Sequence, residues 1–202
     1  MKVLAMVGSL RKGSYNKLAL RAALELKPAG MEIETGDIGV LPLYDDDVRE
    51  RGFPPEVQRL REQVRAADAV LFVTPEYNYS VPGVLKNAID WVSRPPSQPF
   101  EDKPAAIMGA STSKLGTARA QYHLRQVCVF VNMYPLNRPE VMIADAPKAF
   151  DASGRLTDET TRKLIGGLLA NLEGWTRRLQ VQAGEARVAR PESAQPSSHA
   201  RH

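Results

Sequence analysis

Asp68-Ala-Val-Leu-Phe-Val-Thr-Pro-Glu-Tyr-Asn-Tyr-Ser-Val-Pro-Gly-Val-Leu-Lys-Asn-Ala-Ile-Asp-Trp91 is the stretch on which the fold turns. Ala69 to Val73 is an unbroken apolar run, rich in β-branched and aromatic side chains, as a strand buried on both faces of a parallel sheet requires. It stops at Thr74-Pro75, where proline lacks a ladder donor and biases its predecessor towards extended geometry. A polar and aromatic loop follows. Pro82-Gly83 then opens a helix with Leu85, Ala88, Ile89 and Val92 on one face. Open α/β sheets hold ligands beyond the carboxyl ends of their strands, so the loop 75–83 is a candidate site.

Working outward, residues 2–8 form a short apolar strand, and Gly8-Ser9-Leu10-Arg11-Lys12-Gly13-Ser14-Tyr15-Asn16 follows directly. A helix is expected over 14–27, with Lys17, Arg21 and Glu25 as its solvent stripe. Residues 31–35 read as a second strand, giving a β-α-β unit with parallel strands and a right-handed crossover. Residues 37–55 read as a long loop and 55–67 as a helix. Beyond the opening stretch come a strand over 104–110, a helix over 117–131, a short strand near 140–143 and a last helix from Thr157 or Asp158 to about Arg178. Strands alternating with helices predict a doubly wound α/β domain. From Gln182 the apolar stripe fades, so the expected division is a domain over 1–181 and a disordered tail over 182–202.

Composition narrows the function classes. The 202 residues are 43% hydrophobic and 25% charged, ordinary for a globular protein with one full core. No apolar run reaches the length of about 18 residues that a membrane span needs. A single cysteine, Cys128, excludes an internal disulfide and fits a reducing cytoplasm. The net charge of +4 is scattered without a dense Lys/Arg block, so neither nucleic acid nor membrane is expected as a partner. Asp45-Asp46-Asp47 invites a metal reading, but no glycine or distal glutamate stands at calcium-loop spacing, and a hydrated loop is the better reading.

Three loops, 9–16, 75–83 and 110–117, should converge at the carboxyl edge of the sheet. The first joins a strand to a helix N-terminus, where unpaired N–H groups and the helix dipole attract anions. Gly8 and Gly13 have P-loop separation, yet Ser14-Tyr15 stand where Lys-Ser/Thr is required, and the dinucleotide pattern Gly-x-Gly-x-x-Gly is also missing. The loop should therefore hold a monophosphate without hydrolysing it. In the second loop Tyr77 and Tyr79 offer aromatic faces, Pro75 fixes the backbone, and Asn78 supplies a donor and an acceptor for a flat heterocycle. His123 and Cys128 lie within the 117–131 helix and read as packing or interface groups rather than catalysts.

The segments Gly8–Asn16 and Pro75–Trp91, with Gln121-Tyr122-His123-Leu124-Arg125-Gln126, closely resemble the NAD(P)H-dependent FMN reductase family, nearest to its bacterial chromate and quinone reductases. The resemblance covers residues 2–180. It implies a flavodoxin-like three-layer sandwich around a five-stranded parallel sheet in the order 2-1-3-4-5. It also implies non-covalent FMN, with Ser9, Arg11, Ser14, Tyr15 and Asn16 at the phosphate and Pro75, Glu76, Tyr77 and Asn78 along the isoalloxazine ring. Ser111 falls in a third flavin-contacting loop. The implied reaction is a ping-pong transfer of hydride from NADPH or NADH, through the flavin, to a quinone, chromate, azo compound or free flavin, with no catalytic side chain and no metal. Relatives form homodimers or homotetramers, and the 117–131 helix is the candidate contact. A flavin-binding electron carrier or a redox-responsive binding protein is the competing reading. Carriers of that kind are strongly acidic, whereas this chain has a pI near 9.3.

Overall fold

The computed structural model describes residues 1–188. Its strands are β1 (Lys2–Val7), β2 (Glu32–Gly36), β3 (Ala69–Val73), β4 (Pro104–Ala110), β5 (Tyr134–Pro135) and β6 (Val141–Ile143). Its helices are α1 (Tyr15–Leu26), α2 (Asp46–Glu50), α3 (Pro55–Ala66), α4 (Gly83–Val92), α5 (Ala118–Phe130), α6 (Ala146–Ala149) and α7 (Glu159–Val188). The sheet is parallel throughout, in the order β2-β1-β3-β4-β5, as the family resemblance implies.

Alternation of side chains along β1 divides the core in two. Val3, Ala5 and Val7 face α1 and α7, together with Ala69, Leu71, Val73, Ala19, Ala23, Leu168 and Leu172. Leu4 and Met6 face α3, α4 and α5, together with Phe72, Ile107, Leu60, Leu85, Ile89 and Leu124. This period-2 split is what a sheet covered on both faces requires. Each large side chain so buried contributes roughly 1.5–3 kcal/mol. The outer edge of β2 carries Glu32 and Glu34, charges that discourage pairing with another chain.

Two regions depart from expectation. The fifth position of the sheet is shared: β5 pairs with Pro104 and Ala105, and β6 pairs with Met108 to Ala110 farther along the same strand. Pro139 between them has no N–H for a ladder. The loop 37–55 contains a helical turn, α2, whose N-cap is Asp45; its carboxylate accepts from the Asp47 N–H at 2.9 Å. Asp46 and Asp47 occupy the first turn, where negative charge suits the helix dipole. The three aspartates thus start a helix.

Helix α7 is continuous to Val188, beyond Gln182, and the remainder of the segment expected to be a disordered tail, 189–202, lies outside the described residues. No helix among the described residues is long and apolar enough to cross a membrane, and no cluster of three or more His, Cys, Asp or Glu is gathered there to hold a metal.

Candidate functional site

The loop after β1 is built around unused donors. Ser14 is the N-cap of α1, and its hydroxyl accepts from the Asn16 N–H at 3.2 Å. The backbone N–H groups of residues 9–15 find no acceptor among the described residues. Ser9 and Ser14 are only 4% exposed, while Arg11 and Lys12 project into solvent. A buried pair of hydroxyls, a row of free amides and an adjacent guanidinium suit a dianionic phosphate. The ring of Tyr15 packs against Phe150, centroids 5.7 Å apart. The Asn16 side chain also has another partner: its Nδ2 donates to the Ala110 carbonyl and its Oδ1 accepts from the Ala110 N–H, both at 2.9 Å. Asn16 therefore ties the first loop to the third.

The loop after β3 is, by contrast, a finished structure. Tyr77 and Ser80 exchange both backbone hydrogen bonds, N–H to O at 3.1 and 3.0 Å. The two residues between them, Asn78 and Tyr79, both have left-handed backbones, φ 48° and 69°. Two successive left-handed non-glycine residues cost roughly 1–2 kcal/mol each, and such strain gathers at functional sites when the surroundings over-determine it. The surroundings here are the helix α5. Glu76 carboxylate oxygens accept from the Arg119 and Ala120 N–H groups at 3.0 and 3.1 Å and pair with the Arg119 guanidinium. That guanidinium lies 3.6 Å from the centroid of the Tyr79 ring. One turn on, His123 Nδ1 is 3.0 Å from Ser80 Oγ.

Close backbone approach joins these loops. A Cβ on Gly8 would stand 2.9 Å from Pro82 Cγ and 3.1 Å from Pro75 Cδ, so the first glycine is what lets the two loops touch. Ser9 Oγ and the Tyr77 hydroxyl are 3.5 Å apart across the same seam. On the far side a Cβ on Gly109 would run into the Thr74 carbonyl. The third loop is fastened from β6: Ser111 N–H donates to the Ile143 carbonyl at 2.9 Å, and Ser111 Oγ accepts from the Ser113 N–H.

The structure thus brings Ser9, Ser14, Asn16, Pro75, Glu76, Tyr77, Asn78 and Ser111 to one edge of the sheet, with Arg11 exposed on its rim. The Glu76 side chain is engaged by α5, which is compatible with a loop expected to meet a ring largely through its backbone.

In the sequence Arg119 stands only on a candidate contact helix, and Asn87 and Trp91 only within the motif that carries the resemblance; the structure gives all three a bracing role. Asn87 Oδ1 accepts from the Tyr44 N–H at 2.8 Å, and Asn87 Nδ2 and Trp91 Nε1 both donate to the Pro42 carbonyl. Together Asn87 and Trp91 staple the loop after β2 to α4. Tyr44 packs edge-on against Trp91, centroids 4.9 Å apart.

Charge at the site is settled by these pairs. The Glu76 carboxylate holds the Arg119 guanidinium even further up than its ordinary value. Cys128, on the buried side of α5, is pushed up to about 12 by burial, which leaves an inert thiol.

Comparison with known proteins agrees with this geometry. The model of the NADPH-dependent FMN reductase family matches residues 1–148. An NAD(P)H-dependent FMN reductase of Pseudomonas aeruginosa is 63% identical over 180 residues, 89% of this chain and 97% of its own. A quinone reductase of Escherichia coli is 45% identical over 184 residues, covering 90% and 98% of the two chains. Among solved structures, the flavoenzyme NAD(P)H:(acceptor) oxidoreductase of Paracoccus denitrificans superposes with a TM-score of 0.81 at 39% identity, over 88% of this chain and 97% of the other. The chain belongs to the NADPH-dependent FMN reductase family.

Proposed function

We propose that this protein is an FMN-dependent NAD(P)H oxidoreductase that passes two electrons to quinones and similar small acceptors, chromate and azo compounds among them. The observation that carries this reading is the pairing of two unlike loops: one rich in unused backbone donors, the other rigid and aromatic, in contact at Gly8. Ser9, Arg11, Ser14 and the amides of residues 9–15 hold the phosphate. Asn16 contributes by fixing that loop to Ala110. The backbone of Pro75, Glu76, Tyr77 and Asn78 carries the ring, and Ser111 lines its other side.

Bound FMN supplies the two-electron hydride chemistry, so the chain needs no nucleophile or acid–base triad of its own. What the chain does is position. Prolines at 75 and 82 and the Tyr77–Ser80 turn keep the platform fixed, and Arg11, Lys12 and Lys114 make the mouth attractive to anionic nucleotides. The test is steady-state oxidation of NADH and NADPH with a quinone, chromate, an azo dye and free FMN as acceptors. Turnover with quinone is the expected result. A yellow protein that scarcely oxidises either nucleotide would instead be an electron carrier.

The same reading includes a homo-oligomer in the cytoplasm. Helix α5 is apolar on its outer face as well as its inner one: Val129 and Phe130 are 80% and 81% exposed, with Tyr122 and Gln126 on the same stripe. Beside them a groove of about 610 Å³ runs between α4 and α5, floored by Val81, Ile89, Val127 and Val131. A two-fold contact needs knob and hole on one patch, and Phe130 beside this groove provides both. A monomeric mass at micromolar concentration would remove the oligomer. The single buried thiol fits a reducing compartment.

A further inference from the structure

We infer that Glu76 is a positioning residue: through its carboxylate, α5 fixes both the shape and the local charge of the turn that carries the flavin ring. This rests on reading residues 75–78 as the platform of that ring. The first support is geometric. Thr117 at the head of α5 makes no side-chain cap; its hydroxyl accepts from Gln121 Nε2 at 2.9 Å instead. The donors of the first turn would otherwise lack partners. Glu76, 43 residues earlier in the chain, takes two of them. Arg119 Nε and the terminal guanidinium nitrogen complete the shell of a carboxylate that is almost wholly buried.

The grip extends over five consecutive residues. Glu76 is held by backbone amides, Tyr79 by the face of the Arg119 guanidinium, and Ser80 by His123, all from α5. Asn78 and Tyr79, the two residues with left-handed backbones, lie inside that span. The Tyr77–Ser80 hydrogen bonds close the turn locally, and α5 adds the grip on Glu76, on the Tyr79 ring and on Ser80 that holds it in place.

The second support is electrostatic. Glu76 and Arg119 cancel one another beside the platform. Removing one charge leaves the other uncompensated next to a ring whose reduced form is the more negative, and charge near a flavin tunes its potential. The two removals act in opposite directions. Glu76→Gln leaves Arg119 positive and raises the midpoint potential of bound FMN. Arg119→Gln leaves Glu76 negative and lowers it.

The experiment uses the full chain, with FMN affinity from flavin fluorescence on the apoprotein and the midpoint potential from equilibrium titration of the holoprotein. E76Q is expected to weaken FMN binding by about tenfold, the worth of a charge-assisted contact, and to shift the potential upward. R119Q shifts it downward, with a smaller loss of affinity. A role confined to stability would move both potentials the same way or neither, and that outcome overturns the inference. So does E76Q binding FMN within about twofold of the parent while the double variant Y77A/N78G loses it. If Y77A/N78G also keeps its affinity, the platform reading itself fails. Should E76Q not fold, R119Q decides: a downward shift upholds the inference, and an unmoved potential ends it.

Discussion

The loop after β1 and the loop after β3 do opposite things with their backbones. In the first, the N–H groups of residues 9–15 have no acceptor among the described residues, and only the hydroxyls of Ser9 and Ser14 are sheltered. In the second, Tyr77 and Ser80 satisfy each other, and α5 braces what lies around them. On the proposed reading one loop is completed by its ligand, while the other is complete beforehand and offers a surface. A mononucleotide asks for this combination, because its phosphate is recognised by directed donors and its ring by a flat wall that must not collapse when empty.

The comparison is broken most severely at the point where the loops meet. Gly8→Val would drive its side chain into Pro75 and Pro82. We expect an overpacking cost of about 1–3 kcal/mol and a loss of FMN affinity of about 100-fold, read from thermal melts and flavin titration. Retained affinity would mean that the loops need not touch.

Next in size is Asn16→Ala. It strands the Ala110 N–H and carbonyl in a buried position, a loss of about 3 kcal/mol in urea unfolding. FMN binding should fall through loosening of the first loop. Pairing this variant with riboflavin, which lacks the phosphate, separates a tie from a ligand: a tie weakens both flavins alike.

Arg11→Ala sharpens the contrast without touching the fold. The side chain is exposed and makes no hydrogen bond among the described residues, so the melting temperature should not move. FMN affinity should drop about tenfold and lose salt dependence, while riboflavin binding stays as it was. Equal losses for both flavins would place Arg11 at the ring instead.

The smallest effect concerns the helix behind the platform. Cys128 has its ionisation pushed up to about 12 by burial. A folded value raised above the unfolded one stabilises fully below about pH 8.5 and is lost as pH rises towards the folded value. Urea midpoints should therefore fall between pH 9 and 11 in the parent and fall less in Cys128→Ala. A thiol reagent should leave Cys128 unmodified at pH 8 until the protein is unfolded.

Much of this architecture is legible in the residues, because strands buried on both faces announce themselves. Ala69–Val73 and Pro104–Ala110 are unbroken apolar runs, and both strands begin and end where the runs do. Tyr134–Pro135 gives no such signal. Two residues, one a proline, pair only because β4 is already in place beside them. The Asp45 cap is present in the sequence, but a run of three aspartates reads first as charge in a hydrated loop and only second as a helix start.

The site divides in the same manner. The loop proposed to hold the phosphate is a local device, and glycine, serine and a following helix describe it in nine residues. The partners of Glu76 and of Asn16 are 43 and 94 residues distant. No spacing rule connects them, and each side chain proved to be a brace between loops. That Glu76 reaches α5 follows from the fold alone.

The staple that Asn87 and Trp91 make on Pro42 and Tyr44 has a consequence for engineering. It grips one carbonyl and one N–H of the loop after β2, and both belong to the backbone. The side chain of Leu43 between them stands 84% exposed. Position 43 is therefore exchangeable: its side chain can be rewritten while the anchorage on either side, which reads only backbone, remains in force, whereas Leu41 packs against the core and a side chain at Gly39 would meet Leu10.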